Sequence, residues 1–548
     1  MDNKINIKIN GKDYQITKGL SISEILKEIK YESKYPVLLA KIDNDIKELN
    51  YNVLNNCDIQ LLDLTTKEGN KALVNALVFV LIYSVNKLYG KDKDINVLYA
   101  LDKGLYIETN FDITEEDINK IKEEMHNTIK ENKDIKKVTV DRMDALKYYR
   151  AIKNSSKEEN LKYNTNTYIT FYKLGDLYDY FYTKMPINTS SLSDFNLTYI
   201  DDNSFILNYP TIYIKDEVPE YHHHLKIFNV YNNNKEWSRL MKLENASDLN
   251  KIVSSGKIDE FIRICENRLA NEFSELAQNI VSDPDNKLVL MAGPSSSGKT
   301  TSSKKLCMAL KALGKNPTVI SMDDYFVDRD ETPVDEFGEK DYECLEALDL
   351  KLFNKQVKEL LNGEKVVVPT YNFMIGKKEF KNELKLEEDD ILVIEGIHAL
   401  DNKILTNVAR ANKYKIYVSA LTELNIDNHN RISTTDNRLL RRIIRDNKTR
   451  NHSVEDTLDG WASVRRGEEK YIFPYQDEVD YTLNTALLYE LGVMKTYVEP
   501  LLYSVQPGSI YYSEAKRLIN FLKVFLPIPA DAIPQDSIIR EFIGGSCF

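Results

Sequence analysis

Residues 288–301 read Leu288-Val-Leu-Met-Ala-Gly293-Pro-Ser-Ser-Ser-Gly298-Lys-Thr-Thr301, and no other stretch restricts the fold of this chain as strongly. The apolar residues Leu288 to Met291 predict a buried strand. Leu306, Leu310 and Leu313, spaced four and three apart, predict one face of a helix behind it. Between them, Gly293-x-x-x-x-Gly298-Lys299-Thr300 has the full spacing of a phosphate-binding loop. Such a loop curls so that its N–H groups converge on phosphate oxygens. The Lys299 ammonium then reaches the β- and γ-phosphates, and the Thr300 hydroxyl faces Mg²⁺. A chance Gly/Ser turn is the alternative, and the strand and helix on either side argue against it. Gly293, Pro294, Ser295, Ser296, Ser297, Gly298, Lys299, Thr300 and Thr301 are therefore expected to hold ATP with Mg²⁺.

A chain of 548 residues exceeds one ordinary core and predicts roughly three or four domains. Hydrophobic residues at 42% and charged residues at 29% fit a globular protein. A net charge of −12 and a pI near 5.4 argue against a general nucleic-acid binder. Cys57, Cys265, Cys307, Cys344 and Cys547 are far apart, so neither a zinc site nor a disulfide framework is expected. The start of the chain lacks the apolar core of a signal peptide. The longest apolar run, residues 76–83, falls far short of the ~18 needed to span a bilayer. A cytoplasmic protein without membrane contact is the expectation.

Residues 1–65 begin with a hairpin pattern, 5–9 and 14–17 around Asn10-Gly11-Lys12, followed by a helix over 21–29 capped by Ser21 or Ser23. This predicts a small β-grasp-like module. Residues 66–225 predict an α+β block with helices over 71–89 and 115–132 and strands near 137–140, 167–172 and 212–214. Residues 226–285 predict a helical linker containing a helix over 258–280 and ending in the breakers Ser282 to Asn286. From 286 to 490 strands and helices alternate, with strands over 288–292, 318–321, 391–395, 415–419 and 481–483. That pattern predicts an α/β fold with a parallel sheet and a nucleotide at its carboxyl edge. Residues 491–548 predict a helical tail.

Three further features turn nucleotide binding into a reaction. Residues 391–396 form an apolar strand ending in Glu395, where a carboxylate can serve Mg²⁺. Asp323 follows the second strand and is the candidate base for a substrate hydroxyl, with a share in the metal site; a helix N-cap is the plainer role for it or Asp324. Arg438, Arg442 and Arg445 lie at i, i+4 and i+7 on one helical face, and Arg450 follows. In an acidic chain this run predicts an arginine lid over the transferring phosphoryl group rather than a solvated face.

With these residues in place, 287–490 resembles the uridine kinase and phosphoribulokinase group of phosphate-loop kinases. The pieces are GPSSSGKT, SMDDYF, DYECLEALD, VPTYNF, VIEGIHAL and RRIIRDNKTR, in the family's order. The resemblance implies that Asp323 activates an acceptor hydroxyl, that Thr300, Asp323 and Glu395 serve magnesium, and that Lys299, Arg442, Arg445 and Arg450 act on the phosphates. It implies that Tyr325, Glu343, Tyr371, Phe373 and Arg442 face the substrate. Departures fall on the acceptor side: Asp-His-Pro reads Glu343-Cys344-Leu345, a histidine position falls at about Gly376, a lid arginine is His452, and a glutamine falls at about Gly460.

Residues 1–65 resemble a TGS domain, and 66–225 resemble the editing domain of threonyl- and alanyl-tRNA synthetases. The first helix of that domain normally carries HxxxH; here it reads Asn75-Ala-Leu-Val-Phe79, and Tyr180 to Met185 has no Cys or His. Phe can neither ligate a metal nor move a proton, so a scaffold or sensor without hydrolytic activity is expected. His222, His223 and His224 are read as a surface loop.

The combined expectation is an ATP- and Mg²⁺-dependent kinase acting on the hydroxyl of a uridine- or cytidine-like nucleoside or a related small metabolite. The alternative is a nucleotide-regulated binding protein that senses tRNA or a metabolite through its N-terminal half. RNA is the less favoured partner, because residues 1–65 carry no basic patch. Oligomerisation stays open.

Overall fold

The structure, a computed structural model, describes residues 4–548 apart from 337, 339, 373 and 407. Its first element is the expected hairpin, Lys4–Ile9 against Lys12–Thr17, closed by a two-residue Asn10-Gly11 turn with positive φ at both positions. Five strands form one mixed sheet in which Lys4–Ile9 runs parallel to Cys57–Leu62. The helix Ile22–Glu28 starts in a capping box between Ser21 and Glu24, and its Ile22 and Ile25 are buried in the small core of this β-grasp module.

The helix Lys67–Tyr89 is the centre of the next block. Its 23 residues, with a mean hydropathy of 1.6, are long and apolar enough to cross a membrane by length and composition. Here it is a core helix, apolar on most sides because strands of two antiparallel sheets and the helix Glu115–Lys130 pack around it. Strands form at Ile135–Asp141 and Tyr168–Leu174 as expected. The strand expected over 212–214 does not form. Thr211 Oγ1 accepts the N–H groups of Tyr213 and Ile214, closing a local turn that competes with strand pairing. The strands of that region lie earlier, at Asn196–Asp201 and Ser204–Asn208.

The C-terminal half holds five parallel strands in the order Asn316–Ser321, Asp390–Glu395, Leu288–Ala292, Lys413–Ser419, Tyr481–Asn484. Register places Ser321 and Met291 on either side of Glu395. The phosphate loop, the segment after Ser321 and the Glu395 carboxylate therefore leave the sheet along one edge. The hairpin Val366–Asn372 with Lys377–Leu384 lies outside the strands expected from the sequence, although it opens on three consecutive valines. The 226–285 stretch forms the helices Leu225–Leu240, Ala246–Ser254 and Ile258–Val281. The last two share a core with Val289, Val393 and Ile416 of the sheet and with Leu518, Ile538 and Phe542 of the C-terminal segment. Both expected appendages are thus packed onto the parallel sheet.

Candidate active site

The phosphate loop is shaped by close backbone contacts. A Cβ on Gly293 would fall 1.9 Å from Val418 O, so only glycine lets the loop lie against the neighbouring strand. The helix Lys299–Ala312 starts directly after Gly298. Lys299 Nζ folds back onto the carbonyls of Gly293 (2.8 Å) and Pro294 (3.3 Å), placing its charge inside the loop.

The arginine helix, Thr434–Arg450, crosses above this loop. Arg438 donates to Ser295 O at 3.1 Å, and Arg442 Nη1 donates to Ser295 Oγ at 2.7 Å. Arg438 and Arg441 are fully buried and ion-paired with Glu468 and Glu490. They brace the loop rather than face solvent. Arg442, Arg445 and Arg450 converge on a single buried carboxylate, Asp446, at 3.1, 3.0 and 3.5 Å. Glu468 also accepts the Ser295 N–H at 3.1 Å. Asp446 lies within the run of arginines itself, whereas Glu468 and Glu490 come from 30 and 49 residues further along the chain, where no local signal marks them.

Opposite the lysine, Glu395 is buried, accepts from Ser321 Oγ at 2.9 Å and lies 3.5 Å from Thr300 Oγ1. Burial and the neighbouring Asp323 push its pKa up to about 7. A carboxylate held against ionisation by burial and by a second carboxylate, next to a threonine hydroxyl, is a donor set that a hard divalent cation would stabilise. Mg²⁺ needs only one or two such carboxylates beside phosphate oxygens. Among the described residues no group of three or more His, Cys, Asp or Glu side chains is arranged for a metal on its own.

Asp323 and Asp324 separate cleanly. Asp324 accepts the Tyr371 N–H at 3.0 Å and anchors the hairpin strand. Asp323 is exposed and makes no hydrogen bond among the described residues. Glu343 lies on the same side; burial pushes it up to about 7, against the pull of Arg442, and Asp323 and Lys299 are both close enough to shift it. Tyr371 is largely buried with its ring against Phe326, centroids 5.7 Å apart.

Tyr325 is a correction. Expected at the substrate, its ring is 1% exposed, packs on Phe353 and donates to Gln356 Oε1 at 2.9 Å, on the core side of the turn. The 3-10 turn Met322–Tyr325 puts Asp323 and Tyr325 on opposite sides. Phe373 lies outside the described residues. At Gly376 a Cβ would fall 2.7 Å from Arg329 Cβ, and φ is +69°, so the histidine of the family pattern has no room there.

Two side chains join the site from places the sequence did not suggest. His398 is 1% exposed, beside the backbone of Glu343 and Cys344, and burial holds its pKa below the usual histidine range. Glu541, from the C-terminal segment, accepts from Thr301 Oγ1 (2.7 Å) and Thr301 N–H (3.2 Å) at the first turn of the loop helix.

In the N-terminal half the segments compared with an editing site, around Asn75 and Thr183, meet at the wall of a cavity. Asn75 Nδ2 donates to Thr183 Oγ1, while Phe79 packs edge-on against Phe181 at 5.3 Å. Asp179 is buried in ion pairs with Lys157 and His429. His224 pairs with Asp102 at 3.5 Å and with Asp477, at the end of a loop.

A five-stranded parallel sheet with a phosphate loop after its central strand, a glutamate on the next strand and arginines above the loop defines a phosphate-loop kinase domain. Residues 288–486 match the phosphoribulokinase / uridine kinase family. A uridine kinase of Staphylococcus aureus is 30% identical over 194 residues, which cover 35% of this chain and 84% of that enzyme. The chain belongs to this family. Its N-terminal region matches a threonine–tRNA ligase of Clostridium kluyveri, 30% identical over 179 residues, 32% of this chain. The match spans only 28% of that ligase's length. Among solved structures, phosphoribulokinase from Rhodobacter spheroides aligns at 16% identity with a TM-score of 0.25, covering 36% of this chain and 69% of that one.

Proposed function

We propose that this protein transfers the γ-phosphoryl group of ATP to a hydroxyl of a nucleoside or a related sugar-bearing metabolite. The observation that carries this reading is the unpaired, exposed Asp323 at the sheet edge, near Glu395 and the Lys299 loop, with the arginine helix above. In the proposed step the acceptor oxygen attacks the γ-phosphorus and its proton passes to the Asp323 carboxylate. The bond from the γ-phosphorus to the β–γ bridging oxygen breaks, and ADP leaves with that electron pair. Lys299, Arg442, Arg445 and Arg450 balance the charge on the transferring oxygens. Thr300 and Glu395, with Asp323 beside them, would hold Mg²⁺, which when bound supplies positive charge to the phosphate oxygens. Uridine- and cytidine-like acceptors stand first because of the family, while Glu343, Cys344 and Gly376 depart from its acceptor pattern. The test is labelled ATP with a panel of nucleosides and sugars. Label in a phosphorylated product supports the reading, and ATP hydrolysis without any labelled acceptor sinks it.

One observation favours a second reading, a nucleotide-regulated binding protein. Glu541 holds the first turn of the loop helix, so a nucleotide phosphate approaching Thr301 must exchange with a segment of the chain itself. RNA pull-down at physiological salt, run beside the transfer assay, separates the two.

A further inference from the structure

A cavity of about 220 Å³ lies where the N-terminal half of the Lys67–Tyr89 helix meets the segment 426–436 and the C-terminal helix Tyr512–Leu522. No single part of the chain encloses it. Its walls are mixed: Val74, Val78, Ile432 and Phe521 are apolar, while Lys71 and Arg431 bring positive charge. An apolar cavity of about 150 Å³ takes a benzene ring, so this one has room for a compact ring or branched chain with a small charged group.

The charges in its wall do not cancel. Asp436 is held by Arg517 through bonds of 2.9 and 2.8 Å, and His429 is held between Asp94 and Asp179. Lys71 Nζ is sealed from solvent and has no hydrogen-bond partner; the already paired Asp436 lies 3.5 Å away. Arg431 has no hydrogen bond or ion pair among the described residues. Among the described residues, the two cations on this cavity thus have one carboxylate within ion-pair reach, Asp436 beside Lys71, and it is shared with Arg517. A buried ammonium with only a shared carboxylate beside it is costly, and burial together with Arg517 pulls Lys71 down to about 8 against the opposing pull of Asp436.

We propose that this cavity is a binding site for a small organic monoanion, a carboxylate on a compact apolar body, held by Lys71 and Arg431. The site also has a route to the phosphate loop. Ser433 and Asp436, at the start of the arginine helix, line the cavity, and Arg438, Arg441 and Arg442 on the same helix contact Ser295 and Ser296. An occupant that shifts the start of this helix changes how its arginines hold the loop. This link rests on the loop holding ATP, which ATP titration without any added anion checks separately.

Benzoate is the probe and benzamide its uncharged control, used on the full chain. Benzoate at about 10 mM is expected to raise the melting temperature by a few degrees, and benzamide is not. Arg431→Gln, which changes no residue of the kinase site, should melt like the parent in buffer and bind benzoate at least tenfold more weakly by calorimetry. Lys71→Met should do the same, and Arg431→Gln carries the test if that variant does not fold. Equal responses to benzoate and benzamide, no response to benzoate, or a response that survives Arg431→Gln would each overturn the site. An ATP affinity unchanged by saturating benzoate would overturn the link to the loop.

Discussion

The kinase site and the N-terminal half of the chain treat their carboxylates in opposite ways. Around the phosphate loop, Asp323 is unpaired and exposed, and Glu395 and Glu343 are held up to about 7 because burial and like charge oppose their ionisation. In the N-terminal half, Asp179 is equally buried but lies between Lys157 and His429, and its carboxyl is held far below the usual range. His429 belongs to the kinase half of the chain, so this pairing fastens the two halves together. The contrast is between carboxylates whose ionisation burial and like charge oppose, beside the phosphate loop, and a carboxylate whose ionisation two cations favour. In the N-terminal half the charge is neutralised and becomes a joint.

The comparison can be broken at four points. Asp323→Asn should cut phosphoryl transfer by roughly a hundredfold to ten-thousandfold, the range of a lost general base, while the melting temperature stays put. Transfer at the parental rate in that variant would remove the base. Lys157→Met leaves Asp179 short of its ammonium and should cost about 3–5 kcal/mol in denaturant titration, with activity per folded molecule retained. A loss within the range of an exposed pair, about 1 kcal/mol or less, would mean the joint is not one. Glu541→Gln weakens the contact on Thr301, so ATP affinity should rise roughly tenfold, the worth of one charge-assisted hydrogen bond. Unchanged or weaker ATP binding would show that the C-terminal segment does not compete with nucleotide.

The smallest effect concerns pH. Glu395 has a pKa raised from 4.5 to about 7 in the folded chain, so the stability it contributes is fully present below about 4.5 and is lost as pH rises through about 7. Mg²⁺ with ATP needs the ionised carboxylate, so metal-dependent stabilisation should grow severalfold over the same rise. Melting curves with and without Mg²⁺ across this range, repeated on Glu395→Gln, check both slopes. Parallel curves for parent and variant would detach Glu395 from the metal.

Much of this protein was legible in its residues because the signals were local. Apolar runs placed all five parallel strands, and the glycine spacing placed the phosphate loop between strand and helix. Ser21 or Ser23 is expected as a cap and Asn10-Gly11-Lys12 as a turn; the structure takes Ser21 for the cap and closes the turn at Asn10-Gly11. Asp323 and Glu395 could be placed at one edge of the sheet because Glu395 ends its strand and Asp323 lies two residues past the end of another. Other features depended on partners far along the chain. Nothing near Tyr325 says that Phe353 and Gln356 will take it into the core. Nothing near Arg438 or Arg441 says that Glu468 and Glu490 will neutralise them. Glu541 reaches Thr301 across 240 residues, and the cavity at Lys71 and Arg431 exists only where three distant segments close on one another. The sequence by itself determined which elements form and which chemistry the loop can hold, since backbone periodicity and turn geometry are set by neighbours. Which charges are answered and which are left for a ligand was decided by tertiary structure alone, because pairing a buried charge requires a partner that only the folded chain brings near.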